Sequence, residues 1–240
     1  MTISIVTVVY NSAALLGRTV KSVAEQTYEG VEYIVVDGGS TDGTLDVIKG
    51  YEGSIARWTS GPDRGIYDAM NKGTAMTSGE WICFLNAGDV FPDSRTLALV
   101  AEALEAHAAS DVVYGNILVE RDGELVERVA SGPTNKHRMY FCHQSAFVKT
   151  ELARRMPYDV EHKMSADFKF FKQCYLQGRL LTHVNRPFVI YDTSGVSHTR
   201  RVRGLLDNIA VIRETDRGME RVKFVCRLLF TILMLKIRGK

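Results

Sequence analysis

Cysteine and proline are scarce in this chain, with four and five among 240 residues. Cys83, Cys142, Cys174 and Cys226 stand far apart with no C-x-x-C pair, which excludes a clustered thiolate metal site and a redox couple. They read as reduced, buried small side chains. An excess of one charge is also missing. Thirty Lys and Arg against 28 Asp and Glu give a net charge of +2, too near neutrality for a dedicated nucleic-acid binder. No run reaches the roughly 18 apolar residues that a membrane-spanning helix needs. The nearest, Phe224 to Leu235, is shorter and contains Arg227. The opening MTISIVTVVYN lacks the basic, apolar and small-residue segments of a secretory signal, so the expected location is the cytoplasm, where thiols stay free.

What is present is an ordinary globular composition, 45% apolar and 24% charged. The length fits one large domain or two small ones, and without an internal repeat or a linker the expectation is one. Short β-branched runs alternate with helical patterns in the first half, the signature of βαβ crossovers and a largely parallel sheet. Strands are expected at Ile3 to Val9, Tyr33 to Val36, Arg57 to Ser60 and Trp81 to Leu85. Helices are expected around Leu15 to Val23, capped by Asn11 or Ser12, and at Leu45 to Ile48, Tyr67 to Met76 and Arg95 to Ala108. From Asp111 longer alternating segments indicate antiparallel strands. Asp122-Gly123 is the best hairpin turn, between Asn116 to Glu120 and Glu124 to Val129. Ser165 to Leu176, Val202 to Ile212 and Arg221 to Ile237 read as helices, and Leu180 to Tyr191 as extended.

Oxygen-bearing residues gather where strands end: Asp37 after IVV, Asp63 after the third strand, Asn86 and Asp89 after ICFL. In an open parallel sheet the carboxyl ends of the strands share one edge, so these groups can converge on a ligand crevice. Singly, each is equally well explained as the start of a turn. Asn86 and Asp89 can also offer oxygens to one hard cation, Mg²⁺ or Mn²⁺.

TVVYN (Thr7 to Asn11), EYIVVDGGSTDGT (Glu32 to Thr44), PDRGIYDAMNKG (Pro62 to Gly73) and GEWICFLNAGD (Gly79 to Asp89) resemble, in order, consecutive blocks of the family 2 glycosyltransferases. Their fold is GT-A, a Rossmann-like nucleotide-binding mixed sheet flanked by helices. The likeness is strongest to bacterial exopolysaccharide enzymes of the colanic-acid type. It extends more weakly through HQSAF (His143 to Phe147) and SADFKFF (Ser165 to Phe171).

The resemblance implies a role for each matching residue. Thr7, Val9, Tyr10 and Asn11 would line the nucleotide pocket, with Asp37 and Gly39 at the base. Asp63 and Arg64 would flank the nucleotide, while Asp68, Lys72, Asn86 and Ala87 would face the sugar diphosphate. Asp89 matches the last aspartate of the family's D-x-D type motif and would hold Mg²⁺ or Mn²⁺, with His198 brought in from a late loop. Asn86 replaces the motif's first aspartate and is a weaker, neutral ligand. Asp167 matches the catalytic base, and His143 with Gln144 the acceptor side. By itself Asp167 also reads as a first-turn aspartate that stabilises its helix by about 1 kcal/mol or less. The implied reaction is inverting transfer of a sugar from a nucleotide diphosphate, UDP favoured over GDP, to a saccharide hydroxyl.

Residues 200–240 carry eleven Lys and Arg against four Asp and Glu around the apolar FVCRLLFTILML. Such a helix can lie in an anionic membrane interface, or can pack on the domain or a second copy. Because the resembled enzymes extend polyprenyl-diphosphate-linked saccharides, the membrane is favoured, peripherally on the inner face. The expected organisation is a catalytic domain over 1–218, with a nucleotide-sugar half (1–110) and an acceptor half (111–218), followed by a basic amphipathic helix (219–240). Two rivals stand beside this reading. A nucleotidyltransferase would need an early glycine-rich basic loop, and a catalytically silent nucleotide-sugar-binding scaffold would follow if Asn86 disabled the metal site.

Overall fold

A computed structural model describes residues 1–194 and 201–237. Its centre is β1 (Ile3–Val9), buried along its whole length between two parallel neighbours. They are β2 (Val31–Asp37) and β4 (Trp81–Phe84), and β3 (Arg57–Ser60) extends the parallel set beyond β2. On the other side β7 (Ala146–Lys149) inserts antiparallel between β4 and β5 (Val112–Arg121). β6 (Glu124–Arg128) pairs antiparallel with β5, and β8 (Leu181–Ile190) pairs parallel with it, completing an eight-stranded mixed sheet.

Alternation along the strands divides the core in two. Ile3, Ile5 and Val9 face α1 (Ala13–Ala24), α2 (Thr44–Gly50) and α4 (Thr96–Ala106), whose Leu16, Val20, Ile48, Leu97 and Leu104 are buried against them. Val6, Val8, Ile34 and Val36 face α3 (Ile66–Met76), α5 (Thr150–Arg155) and α6 (Ala166–Leu176) through Met70, Leu152 and Phe171. Each such side chain contributes about 1.5–3 kcal/mol by leaving water, so both faces of the sheet are firmly held.

The hairpin forms as expected, with Asp122 (φ 53°) and Gly123 (φ 83°) between the paired Arg121 and Glu124. β5 starts earlier than its alternation indicates, because Val112 to Tyr114 are buried between β7 and β8. β7 and α5 were not anticipated; both are too short to show a period. The cysteines are free, but Cys142 is half-buried and Cys226 exposed, correcting the expectation that all four are buried.

α7 (Arg201–Thr215) and α8 (Gly218–Ile237) form a third layer on α6, with Phe168 packed against Ile209, Ile212, Phe224 and Leu228. The buried Lys172 of α6 fixes it, pairing with the equally buried Asp216 at 2.9 Å and lying over the rings of Phe168 and Phe224. Burial pulls the Lys172 ammonium down in pKa, against the opposing pull of Asp216.

Candidate active site

The loops after β1, β2 and β3 hold one another. Asn11, at φ 47°, donates its N–H to Ser40 Oγ (2.7 Å) and accepts from Thr41 N–H at Oδ1 (2.8 Å). Asp42 Oδ2 accepts from Ala13 N–H, so α1 is capped from across the loop rather than by Asn11 or Ser12. Gly38 permits the close approach of the third loop, since a Cβ there would lie 2.6 Å from Asp63 Oδ2. Asp63 Oδ1 in turn accepts from Gly65 N–H at the start of α3.

Asp37 is almost fully buried, and Oδ2 accepts from Gly39 N–H, Ser40 N–H and Ser60 Oγ–H. Burial raises its pKa, but hydrogen bonds from Ser40, Ser60 and Gly39 outweigh it and hold the carboxyl below its ordinary range. Its Oδ1 is buried with no partner.

After β4 the chain turns through Gly88, at φ 105°, where a Cβ would meet Asp192 Oδ2 at 2.7 Å. Thr19 Oγ1 fixes the turn by donating to Asp89 O and accepting from Gly88 N–H. The Asp89 carboxyl is 2% exposed and accepts from Asp192 N–H at 2.8 Å. Burial pushes its pKa up to about 7, against the Asp192 N–H, the charge of His143 and a Gln144 hydrogen bond, while the Asp192 carboxylate adds to the rise. Asn86 Oδ1 is buried nearby without a partner. A buried amide oxygen lacking a donor, beside carboxylates short of positive charge, is the oxygen-only donor set that Mg²⁺ or Mn²⁺ fits.

These loops enclose a cleft of about 470 Å³ at the carboxyl edge of the sheet, lined among others by Val9, Tyr10, Asp63, Asn86, Ala87, Asp89, Gln144, Tyr191 and Asp192. Beyond Asn86 lies a hydrogen-bonded chain. Asn86 Nδ2 is 3.4 Å from His143 Nε2, His143 Nδ1 is 2.9 Å from Asp167 Oδ2, and Tyr67 Oη–H donates to Asp167 Oδ1 at 2.8 Å. Burial raises the Asp167 pKa, but His143, Tyr67 and Phe168 N–H reverse the shift and hold it low, so the group is a carboxylate. Desolvation and Asp167 together drive the Tyr67 hydroxyl far above its usual pKa, keeping it a donor.

Other expected residues lie elsewhere. Thr7 is buried, bonding Leu85 O and the Tyr33 hydroxyl. Asp68 of α3 pairs with Arg64, just before the helix, and with Lys72, whose Nζ also bonds Pro62 O; none of the three lines the cleft. Gly39, at φ 86°, serves the Asp37 turn. His198 lies outside the described residues. Asp192 was missed, although it follows the apolar FVIY as Asp37 follows IVV, the same strand-then-acid signal. Also missed was a cluster of Asp159, His162 and Glu214 with ligand atoms close enough to share an ion. There the Lys169 ammonium already pairs with Asp159 at 2.6 Å and with Glu214, while Asp207 accepts from His162. Its charge is met within the chain, joining α6 to α7.

Residues 4–176 match the family model of Glycosyl transferase family 2. The chain belongs to this family. Among curated relatives of this glycosyltransferase, a PGL/p-HBAD biosynthesis glycosyltransferase of Mycobacterium tuberculosis is 33% identical over 187 residues, covering 75% of this chain and 72% of the relative. An uncharacterized glycosyltransferase of the same species is 33% identical over 224 residues, covering 90% and 84%. Solved structures share the fold at low identity. Staphylococcus aureus TarS 1-349 in complex with UDP-GlcNAc superposes with a TM-score of 0.71 at 18% identity, covering 95% of this chain and 72% of that one. The mannosyltransferase PcManGT of Pyrobaculum calidifontis with GDP-Man and Mn²⁺ gives 0.71 at 18% identity, covering 96% and 69%. The glycosyltransferase thus has the GT-A fold, and the likeness to exopolysaccharide enzymes in particular gains nothing from these relatives.

Proposed function

We propose that this glycosyltransferase transfers a sugar, with inversion, from a UDP-sugar to a hydroxyl of a lipid-linked saccharide in bacterial surface polysaccharide assembly. What carries the reading is the continuity from the strand-end cleft, through Asn86 and His143, to the ionised Asp167. Val9, Tyr10 and Asp63 would contact the nucleotide, with Asp37 held rigid behind them. Asp89 with Asn86 Oδ1, and Asp192 nearby, would hold Mg²⁺ or Mn²⁺, which when bound offsets charge on the leaving diphosphate. Asp167 takes the acceptor proton as the hydroxyl oxygen forms its bond to C1 and the C1–O bond to the diphosphate breaks on the opposite face. His143 and Tyr67 keep the carboxylate aimed. In support, the fold neighbours named above hold UDP-GlcNAc in one case and GDP-Man with Mn²⁺ in the other.

The test is thermal stabilisation by UDP and by GDP, each with and without Mn²⁺, since a ligand selective for the folded state raises its melting temperature. UDP with Mn²⁺ should give the largest rise. If neither nucleotide shifts the transition under any metal condition, the donor reading fails and a silent scaffold replaces it.

Within this reading residues 1–218 form the catalytic domain, and α8 with the rest of 219–240 holds it to the inner face of the cytoplasmic membrane. Among the described residues no helix is long and apolar enough to cross a bilayer. One face of α8 packs on the domain through Phe224, Leu228, Ile232 and Leu235. The opposite face exposes Met219, Val222, Cys226, Leu229, Phe230, Leu233 and Ile237, spaced three or four residues apart or adjacent and bordered by Lys223, Arg227 and Lys236. An apolar stripe edged with cations suits an anionic lipid surface. The wild type should sediment with phosphatidylglycerol vesicles and Phe230→Glu/Leu233→Glu should not; equal behaviour of the two removes α8 from membrane binding.

A further inference from the structure

Asn86 sits on a stretch of chain held from several sides. Leu85 N–H donates to Val6 O, Thr7 Oγ1 donates to Leu85 O, and Asp89 N–H donates to Asn86 O. His143 opens the short 3₁₀ turn His143–Ser145, which is pinned where Ser145 Oγ–H donates to Gly115 O. The two side chains, 57 residues apart, meet with Asn86 Nδ2 at 3.4 Å from His143 Nε2. The other ring nitrogen, Nδ1, is 2.9 Å from Asp167 Oδ2. Resting on the transferase reading above, we propose that Asn86 is a positioning residue for the base: its amide N–H donates to His143 Nε2 and fixes the ring tautomer that carries its proton on Nδ1, toward Asp167.

The atoms able to donate decide the assignment. An ionised Asp167 only accepts, and Tyr67 Oη–H and Phe168 N–H already donate to its Oδ1, so the proton between Oδ2 and the imidazole belongs to His143 Nδ1. A neutral ring protonated there has a bare Nε2, which needs a donor. Among the described residues Asn86 Nδ2 is the group that faces it. Turning the amide this way leaves Oδ1, buried without a partner, as the oxygen free for the cation. A carboxylate at position 86 would be the stronger cation ligand, yet it has no hydrogen to give. It would draw a proton onto Nε2, and in a neutral ring that strips Nδ1 and sets its lone pair against Asp167 Oδ2. Asparagine supplies an acceptor and a donor at the same length. The needs of the base, rather than those of the metal, account for the amide.

Two-bond ¹H–¹⁵N correlation NMR tests this on the full-length protein with ¹⁵N-labelled histidine, in EDTA at about pH 8, where an ordinary imidazole is neutral. A protonated and a bare ring nitrogen resonate far apart, and the His143 signals are those lost in His143→Gln. In the wild type Nδ1 should be protonated and Nε2 bare. In Asn86→Asp a proton should appear on Nε2. In Asn86→Leu, of similar shape but with no donor, Nε2 should stay bare and its resonance should move as the hydrogen bond is lost. A proton on Nε2 of the wild type, a bare Nε2 in Asn86→Asp, or His143 signals in Asn86→Leu identical to those of the wild type overturns the proposal. The wild-type spectrum decides by itself if neither variant folds. No nucleotide or metal is present, so the melting shift given by UDP tests the donor reading separately. The Nδ1–H tautomer without a UDP shift would leave the link from Asn86 to Asp167 standing and remove the donor assignment.

Discussion

Asp37 and Asp89 each follow a buried parallel strand of one sheet and are almost equally hidden from water, yet their carboxyls are driven in opposite directions. Gly39 N–H and Ser40 N–H of the loop after β2, with the Ser60 hydroxyl at the end of β3, converge on Asp37 Oδ2 and hold its pKa low, while Oδ1 is left without a partner. Asp89, after β4, meets the Asp192 N–H, the charge of His143 and a Gln144 hydrogen bond, all brought from elsewhere in the chain, and burial with the like charge of Asp192 outweighs them. A buried carboxylate that hydrogen bonds from the chain keep ionised shapes a wall. One whose ionised form burial opposes has the most to gain from a cation.

Asp167 is the largest test of this contrast, because its charge, like that of Asp37, is met within the chain although we assign it the reaction. Asp167→Asn should lower kcat by about 10²–10⁴, the usual span for losing a general base, while the UDP-induced melting shift persists. Near-native turnover would remove Asp167 from the chemistry. Next in size, Asp37→Asn should cost the metal-free protein about 1–3 kcal/mol, since donors now engaged by a carboxylate lose their charged acceptor. Asp89→Asn should leave its melting temperature unchanged or higher near pH 8 and cancel any Mn²⁺ enhancement of UDP binding. If both variants destabilise equally, the distinction between the loops collapses.

The smallest effect, and the one that reads the contrast directly, is the pH dependence of unfolding in EDTA. Asp89 is raised in the folded state, so it binds its proton more tightly there; stability falls as pH rises from about 4, the unfolded value, to about 7 and then levels off. Asp37 is lowered, so its contribution is complete above the ordinary carboxylate range and is lost as pH falls below it. Asp89→Asn should flatten the first slope and Mn²⁺ should do the same in the wild type. A slope untouched by either places the titration on another group.

Legibility in the sequence differed between the two halves. Three of the four parallel strands were readable as short apolar runs and the mostly polar β3 by the Gly61 turn after it, and β1 to β4 appear at the expected places. Between Asp111 and Pro157 only the β5–β6 hairpin was readable. β7 has only four residues and is a strand because β4 and β5 flank it. The contact of Tyr67 with Asp167 joins helices a hundred residues apart, and no local pattern encodes it. At α8 the sequence offered a membrane face or a packed face as alternatives; the helix packs on the domain through one face and exposes apolar side chains on the other.

By itself the sequence determined the parallel core, the strand-end acids and the family, because strand periodicity and turn chemistry act over a few residues and the motif blocks are contiguous. Only the tertiary structure decided which acids share a cleft and which carboxyls are held low or pushed up in pKa. Burial and hydrogen-bond partners set a carboxylate's charge state, and here both arrive from distant parts of the chain: Ser60 for Asp37, Asp192 for Asp89, His143 and Tyr67 for Asp167.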